Sequence, residues 1–311
     1  MARYLIHLIK WFLHQRTGLT EIQRICYGDS AGARRTCNVE RSLSFSKSIN
    51  IQEAFNIFIV CNHGRNDKEV ETAINNLVST VLETKNIKTA LHSQFIRSLH
   101  HCANQICGYQ RLKYEVETLR ATQFDESVHV GKLECLWAAL MDVDIKPFIR
   151  KSKQWGDIGF QGDDPKTDLR GVGILGLENL LFFAKRFDNA ARNILAHSHH
   201  PKYGYPMAVV SLNLTHMAIK LLNDGSAKTH MYNVTKEMLE DENPIEIRHF
   251  HYFYSYLFIE FDKFWLNHEP ENVMQFNRIR DLFENNIITL LDDKRVCFNI
   301  NLFAGRQKSL L

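Results

Sequence analysis

The chain has 311 residues, of which 45% are hydrophobic and 23% are charged, a mix typical of globular proteins that excludes collagen-like and wholly disordered chains. Only 15 glycines and 6 prolines occur, which argues against a turn-rich all-β protein and for long helices. The formal net charge of +3 is too small to indicate a nucleic-acid-binding protein.

Residues 1–16 predict a basic amphipathic helix. Its basic side chains recur at spacings of three and four, so they share one helix face opposite an apolar face: Arg3, His7, Lys10 and His14. With Trp11 beside them, such a helix suits either peripheral contact with an anionic membrane or packing against the protein's own body. The longest apolar run in this segment is three residues, too short for a membrane span or a secretory signal.

Apolar residues at mixed spacings of three and four predict helices over most of the remaining chain. In the first half they cover 51–61, 69–82, 91–107 and 112–119, with Gly108 as an interruption. Residues 125–130 are polar without an apolar period, so we place a boundary there, between an N-terminal helical region, 1–127, and a second domain, 128–295. Predicted helices in that domain are 133–141, 174–187, 207–222 (stopped by 223–225), 249–265 and 273–291.

The predicted fold class is therefore all-α. Only 295–302 alternates in the manner of a strand, and residues 296–311 are predicted to form a tail. In 249–265 the aromatic residues keep the helical period, which indicates a core-facing stripe rather than a ligand pocket.

Familiar catalytic and metal-binding motifs are absent or misplaced. The seven cysteines are scattered without a Cys-x-x-Cys pair, which indicates reduced intracellular thiols. The histidine clusters lack the second half of a zinc site, so no metal is expected. Residues 171–176 spell Gly-x-Gly-x-x-Gly, but a polar loop rather than a strand precedes them, so the glycines predict a tight turn into a helix instead of a dinucleotide site.

The segment 155–173 combines residue types that an ordinary surface loop does not. Trp155, Ile158 and Phe160 are expected to pin it to the core, and Asp164-Pro165 restricts its backbone.

Within this segment, Arg170 is expected to lie at or near the N-terminus of the next helix, which Thr167 or Asp168 would cap. The helix dipole disfavours a cation there. Two reasons could hold the arginine in place. One is an ion pair with Asp168 or Asp164, and the other is a catalytic guanidinium aimed outward at a phosphate.

This segment resembles the signature of the ELMO (engulfment and cell motility) domain. The matching residues are Trp155, Ile158, Gly159, Phe160, Gln161, Asp164, Pro165, Thr167, Asp168, Leu169, Arg170, Gly171 and Gly173. Similarity to the compact ELMO-domain-containing proteins extends to 201–205, 213–215, 260–265 and the basic N-terminal stretch, so it covers most of the chain before the tail.

The resemblance implies an all-α ELMO domain that activates GTP hydrolysis by an Arf or Arf-like small GTPase. Arg170 would be the catalytic arginine, and the other matching residues would bind the GTPase or support the loop. For Gln161 a supporting role is expected, with water positioning as the alternative. The protein would not be a hydrolase itself and would need no cofactor, because GTP and Mg²⁺ are carried by the partner.

The resemblance also implies a cytoplasmic protein, peripheral on intracellular membranes such as the endoplasmic reticulum, lipid droplets or mitochondria. A rival function is a non-catalytic adaptor or effector that binds an Arf-like GTPase or a Dock-type exchange factor. The large ELMO proteins that partner Dock factors lack the arginine that Arg170 matches, so this residue favours the activator.

Overall fold

A computed structural model describes residues 2–60, 67–237 and 245–299. Helices account for most of these residues and none of them forms a β-strand, which confirms the all-α prediction. The α-helices in chain order are α1 (Ala2–Thr17), α2 (Glu21–Gly28), α3 (Ala33–Ser44), α4 (Ile49–Val60), α5 (Asp67–Thr84), α6 (Ser93–Ala121), α7 (Glu126–Leu140), α8 (Gly173–Arg186), α9 (Asp188–Ser198), α10 (Met207–Asn223), α11 (Lys228–Glu237), α12 (Ile247–Asn267) and α13 (Phe276–Leu291). Short 3₁₀-helices cover Thr89–Leu91, Lys153–Asp157, Pro165–Gly171 and Val273–Gln275.

The described residues fall into two compact units. The first unit draws on 2–60, 67–112, 228–237, 245–246 and 293–297. The second draws on 113–227, 247–292 and 298–299. The chain therefore leaves the first unit after residue 112 and returns to it twice. No local change in composition predicts this connectivity.

Two sequence expectations about helix limits are wrong. Gly108 does not interrupt α6, which runs unbroken from Ser93 to Ala121. The glycine instead lets Ile245 pack closely, since an added Cβ would lie 3.0 Å from the Ile245 nitrogen. The helix predicted to begin at 133 begins at Glu126, so residues 126–130 belong to α7. Asp125 caps this helix by accepting the N–H of Ser127 at 2.8 Å, so its polar start is a capping signal.

Several helices were not predicted from the apolar period, and other elements have different limits from those predicted. Helices α2, α3, α9 and α11 were not predicted, because small or polar residues fill many of their buried positions, as Ala33 and Thr36 do in α3. Residues 273–275 form a 3₁₀ turn, so α13 begins later than expected. No strand occurs in 295–299, and 300–302 lie outside the described residues.

Helix α1 exposes the apolar side chains among residues 8–17, the part of the helix whose side chains the structure describes. Leu8, Ile9, Trp11 and Phe12 are each at least half exposed, and none of residues 8–17 is buried. The described part of α1 therefore does not show the alternative of packing on the protein's own body. No described helix is both long and apolar enough to cross a bilayer.

The core of the second unit is aromatic and centres on α12, which contacts α8 and α10. Of its predicted stripe, Phe250, Phe253, Tyr254, Leu257 and Phe261 are buried, whereas Phe264 is only half-buried. The first turn of α10 faces the segment 155–173, and α8 continues from that segment directly. These two helices therefore position the segment.

Candidate functional site

The segment 155–173 is anchored by an aromatic cluster. Trp155, Ile158 and Phe160 are buried. The Trp155 ring meets those of Trp137 and Phe160 edge-on, with centroids 5.1 and 5.5 Å away. Its Nε1–H donates to the carbonyls of Ile149 and Arg150 at 3.1 and 3.2 Å. The segment thus has a rigid base.

Gly159 joins the segment to the start of α10. The carbonyl of Ile158 accepts the N–H of Ala208 at 3.0 Å, and that of Gly159 accepts the N–H of Val209 at 3.4 Å. These bonds satisfy amides that the first turn of a helix otherwise leaves unpaired. Gly159 has φ +91, and a Cβ there would lie 2.6 Å from the Pro206 carbonyl carbon, so only glycine fits.

Asp164 holds the middle of the segment through a residue that sequence reasoning missed. Its Oδ1 accepts a hydrogen bond from Arg150 Nη1 at 2.7 Å and another from the Lys166 N–H at 2.9 Å. Burial by itself would raise the pKa of Asp164, but these hydrogen bonds outweigh it and lower the pKa below the usual value. Pro165 is buried at the start of the 3₁₀-helix Pro165–Gly171.

Arg150 itself is largely buried, and its guanidinium lies 5.0 Å from the centroid of the Phe124 ring. Nothing in its spacing from Trp155 or from Asp164 signals the pairing, because the loop must fold back to create it.

Thr167 and Asp168 do not cap the following helix, so that expectation is wrong. Asp168 Oδ2 accepts the N–H of Gln161 at 2.7 Å, and Thr167 Oγ1 donates to the Asp164 carbonyl at 2.9 Å. Both side chains therefore close the loop on itself. Helix α8 starts at Gly173 without a side-chain cap.

Gly173 makes this helix start feasible. Its φ is +59, and a Cβ there would lie 2.7 Å from the Leu119 carbonyl oxygen. The N–H of Ile174 donates to the Thr122 carbonyl at 2.8 Å. The turn into a helix that the sequence predicted for these glycines is thus observed at Gly173. Gly171 is different, because its added Cβ would meet only His216 Cε1, at 4.0 Å.

Arg170 is exposed in the last turn of the 3₁₀-helix rather than in the first turn of α8. Its Nε donates to the Thr167 carbonyl at 2.9 Å. Arg170 therefore lies three positions before Gly173, the first residue of α8, and also at the C-terminal end of the 3₁₀-helix, where a cation is favoured.

The expected ion pair of Arg170 is not formed either. Asp164 bonds to Arg150 and Asp168 bonds to the Gln161 amide. Within the described residues, Arg170 has no carboxylate within 4.0 Å. Its terminal nitrogens can therefore bind an external anion.

A shallow depression of about 300 Å³ lies beside this guanidinium. Its polar lining comes from Arg170, Gln161, Thr167, Asp168, Asn213 and His216. Arg280 Nη1 donates to Asn213 Oδ1 at 3.4 Å, and the same guanidinium is paired with Asp281 at 2.8 Å. Among the residues that the structure describes, no cluster of His, Cys, Asp or Glu could hold a metal ion.

The candidate site lies within a region of the chain that is similar to a known protein family. The sequence model of the ELMO/CED-12 family matches residues 114–280, which include the whole segment and its supporting helices α8 and α10. The chain is 41% identical over 287 residues to mouse ELMO domain-containing protein 2, covering 92% of this chain and 91% of that relative.

Two further relatives match over a similar length. Mouse ELMO domain-containing protein 1 is 37% identical over 311 residues, covering 94% of this chain and 90% of that protein. Dictyostelium discoideum ELMO domain-containing protein B is 31% identical over 290 residues, covering 91% and 94%.

Proposed function

The chain belongs to the ELMO/CED-12 family, and from that premise we propose that it stimulates GTP hydrolysis by a small GTPase of the Arf or Arf-like class. Arg170 would act in trans as the catalytic arginine. The observation that carries the proposal is the geometry of Arg170. Its exposed guanidinium is fixed through Nε to a backbone carbonyl, and no described carboxylate lies within 4.0 Å.

The chemistry needs such a group. GTP hydrolysis builds up negative charge on the transferring phosphoryl group, and an arginine supplied in trans accelerates the reaction about 10³–10⁵-fold. The planar fork of arginine pairs with two phosphate oxygens at once, which the single ammonium of lysine does not match. GTP, Mg²⁺ and the attacking water would belong to the partner, so the protein itself is an activator and no hydrolase.

The rigid base of the segment supports the same proposal. Trp155 and Phe160 fix the loop in the core, and Asp164 fixes its middle. A preformed loop lowers the entropic cost of placing the guanidinium against the phosphate. Gln161 supports the loop through its backbone N–H, while the depression lined by Asn213 and His216 offers polar contacts to the GTPase.

We propose in addition that α1 makes peripheral contact with anionic intracellular membranes. The support is the exposure of Leu8, Trp11 and Phe12 beside the basic residues of the same helix. Apolar side chains on one face and cations on the other are the pattern of helices that lie in the membrane interface.

The decisive test is single-turnover GTP hydrolysis across a panel of Arf and Arf-like GTPases at saturating activator. Arg170→Ala should lower the stimulated rate by about 10³-fold or more. Binding to the GTP-loaded partner should change far less, because the arginine acts in the transition state. Arg170→Lys should fail nearly as badly. Arg192→Ala removes another exposed arginine of the second unit and should leave the rate unchanged.

Each result that contradicts the proposed catalytic role of Arg170 points to a different alternative. A folded Arg170→Ala protein that still activates within a few-fold of wild type overturns the catalytic assignment. Partial rescue by Lys together with a lowered melting temperature of Arg170→Ala would indicate that Arg170 stabilises the fold instead of the transition state. A wild-type protein that binds the GTP-loaded GTPases but never raises their turnover would be the adaptor or effector.

A further inference from the structure

The first unit contains a hollow of about 880 Å³ that the proposed activation of a GTPase does not use. Residues from α1 to α5 line it, and its charged lining is strongly one-sided: Lys10, Arg24, Arg41, Lys47 and Lys85 against Glu21. A concave surface lined by one sign of charge concentrates the field and attracts counter-ions.

Two of these cations already have partners. Lys10 Nζ lies 2.7 Å from Glu21 Oε1, and Arg24 Nη1 donates to the Leu19 carbonyl at 2.6 Å. The other three are Arg41, Lys47 and Lys85. Within the part of the chain that the structure describes, they have no carboxylate within 4.0 Å. The single acid of the lining is therefore engaged with Lys10. Four positive charges remain in the hollow without a described carboxylate partner, because the carbonyl that binds Arg24 does not neutralise it.

Large apolar side chains line the same hollow and reach solvent. Trp11 from α1 is 61% exposed, and Phe45, just after α3, is 80% exposed. Phe12 and Ile49 are exposed close by in the chain. Aromatic side chains beside cations are typical of segments at the headgroup level of a bilayer, where the rings enter the interface and the cations meet lipid phosphates.

We propose that this hollow binds the phosphorylated headgroup of an anionic membrane lipid while Trp11 and Phe45 enter the interface. Charge complementarity selects the anion, and the exposed rings select a bilayer over a phosphate in solution. The inference rests on the proposed membrane contact of α1 and deepens it by assigning a headgroup site. It involves no residue of the second unit, so it is independent of Arg170.

The test is co-sedimentation of the full chain with three kinds of vesicle. They contain phosphatidylcholine alone, phosphatidylcholine with phosphatidylserine, or phosphatidylcholine with phosphatidylinositol bisphosphate, the last two at equal surface charge. We expect no binding to the first and tighter binding to the third than to the second, because the hollow can surround a polyanionic headgroup.

Charge reversal identifies the site. The triple variant Arg41→Glu, Lys47→Glu and Lys85→Glu should bind bisphosphate vesicles at least about 100-fold more weakly. The loss of each cation near an anionic leaflet costs about fivefold, and the added carboxylates repel the leaflet further. The matched control changes the same charges elsewhere, at exposed Lys68, Lys185 and Arg192, and should stay close to wild type.

A double variant tests the aromatic part. Trp11→Ala with Phe45→Ala removes exposed side chains only, so the protein should stay folded by circular dichroism while vesicle binding falls at least tenfold. Unchanged vesicle binding by this variant overturns the insertion of the two rings.

Several results would overturn the headgroup site. They are equal binding by the triple variant and its control, equal binding to the two anionic vesicles, or capture of soluble inositol phosphates without vesicle binding. Stimulated GTP turnover measured without vesicles should be unaffected by the triple variant. Failure of the headgroup site therefore shows in the vesicle assay, whereas failure of the proposed activator shows in the turnover assay.

Discussion

Replacing Gly159 by alanine should destabilise the second unit and displace the candidate site. The glycine has φ +91, a conformation that L residues rarely adopt, and its Cα faces the first turn of α10. An alanine Cβ would lie 2.6 Å from the Pro206 carbonyl carbon and 2.8 Å from the Pro206 Cα. These neighbours are backbone atoms, so they cannot rotate away as a side chain would.

The magnitude follows from two costs. A left-handed backbone conformation costs an L residue about 1–2 kcal/mol. Forcing an extra methyl into a packed site costs about 1–3 kcal/mol. The free energy of unfolding should therefore fall by roughly 2–5 kcal/mol. Stimulated GTP turnover should fall as well, because the loop that carries Arg170 shifts with Gly159.

The assay is urea unfolding followed by tryptophan fluorescence. Trp137, Trp155 and Trp265 are buried in the second unit, whereas Trp11 is exposed, so the signal reports mainly on the second unit. Gly171→Ala is the matched control, since φ there is not positive and the nearest atom to an added Cβ is 4.0 Å away.

That control should unfold at the wild-type urea concentration or slightly above it. If Gly159→Ala unfolds within about 0.5 kcal/mol of wild type, below the range for a named core defect, the close approach to α10 is refuted.

The remaining predictions concern the core. Trp155→Ala should lower the free energy of unfolding by about 3–5 kcal/mol and reduce activity with it, whereas Trp11→Ala should change stability little; activity lost at unchanged stability would make Trp155 an interface residue. Burial lowers the pKa of His251 to about 4, and its neutral Nδ1–H donates to Asn179 Oδ1 at 2.7 Å. Its contribution to stability is thus fully present above the unfolded pKa of about 6.5 and is lost as the pH falls towards 4. Wild type should lose about 2 kcal/mol between pH 7 and pH 5 from this group, measured by urea unfolding at each pH. Between pH 7 and pH 5, the free energy of unfolding of His251→Gln should fall less than that of wild type, and that of the exposed His268→Gln should fall as much. An equal fall in all three proteins would contradict the assignment.

The sequence by itself determined the fold class and most long helices. The apolar period in α12 reports burial directly, because a residue that recurs on one helix face either meets the core or does not. The end of α10 at Asn223 and the turn into α8 at Gly173 depend on local backbone conformation, so the sequence predicted them as well. The family resemblance rests on the identities of consecutive residues in 155–173, and a folded structure is not needed to see it.

The tertiary structure alone decided how the candidate site is held. Arg150 reaches Asp164 and the Asp168 carboxylate reaches the Gln161 amide only because the loop folds back on itself. The same folding removes both expected partners of Arg170 and leaves its guanidinium exposed. Hydrogen bonds between residues several positions apart depend on where the chain turns, and a one-dimensional period carries no information on that path. The same holds for Gly108. Its contact with Ile245 joins distant parts of the chain, so no local sequence pattern predicts it.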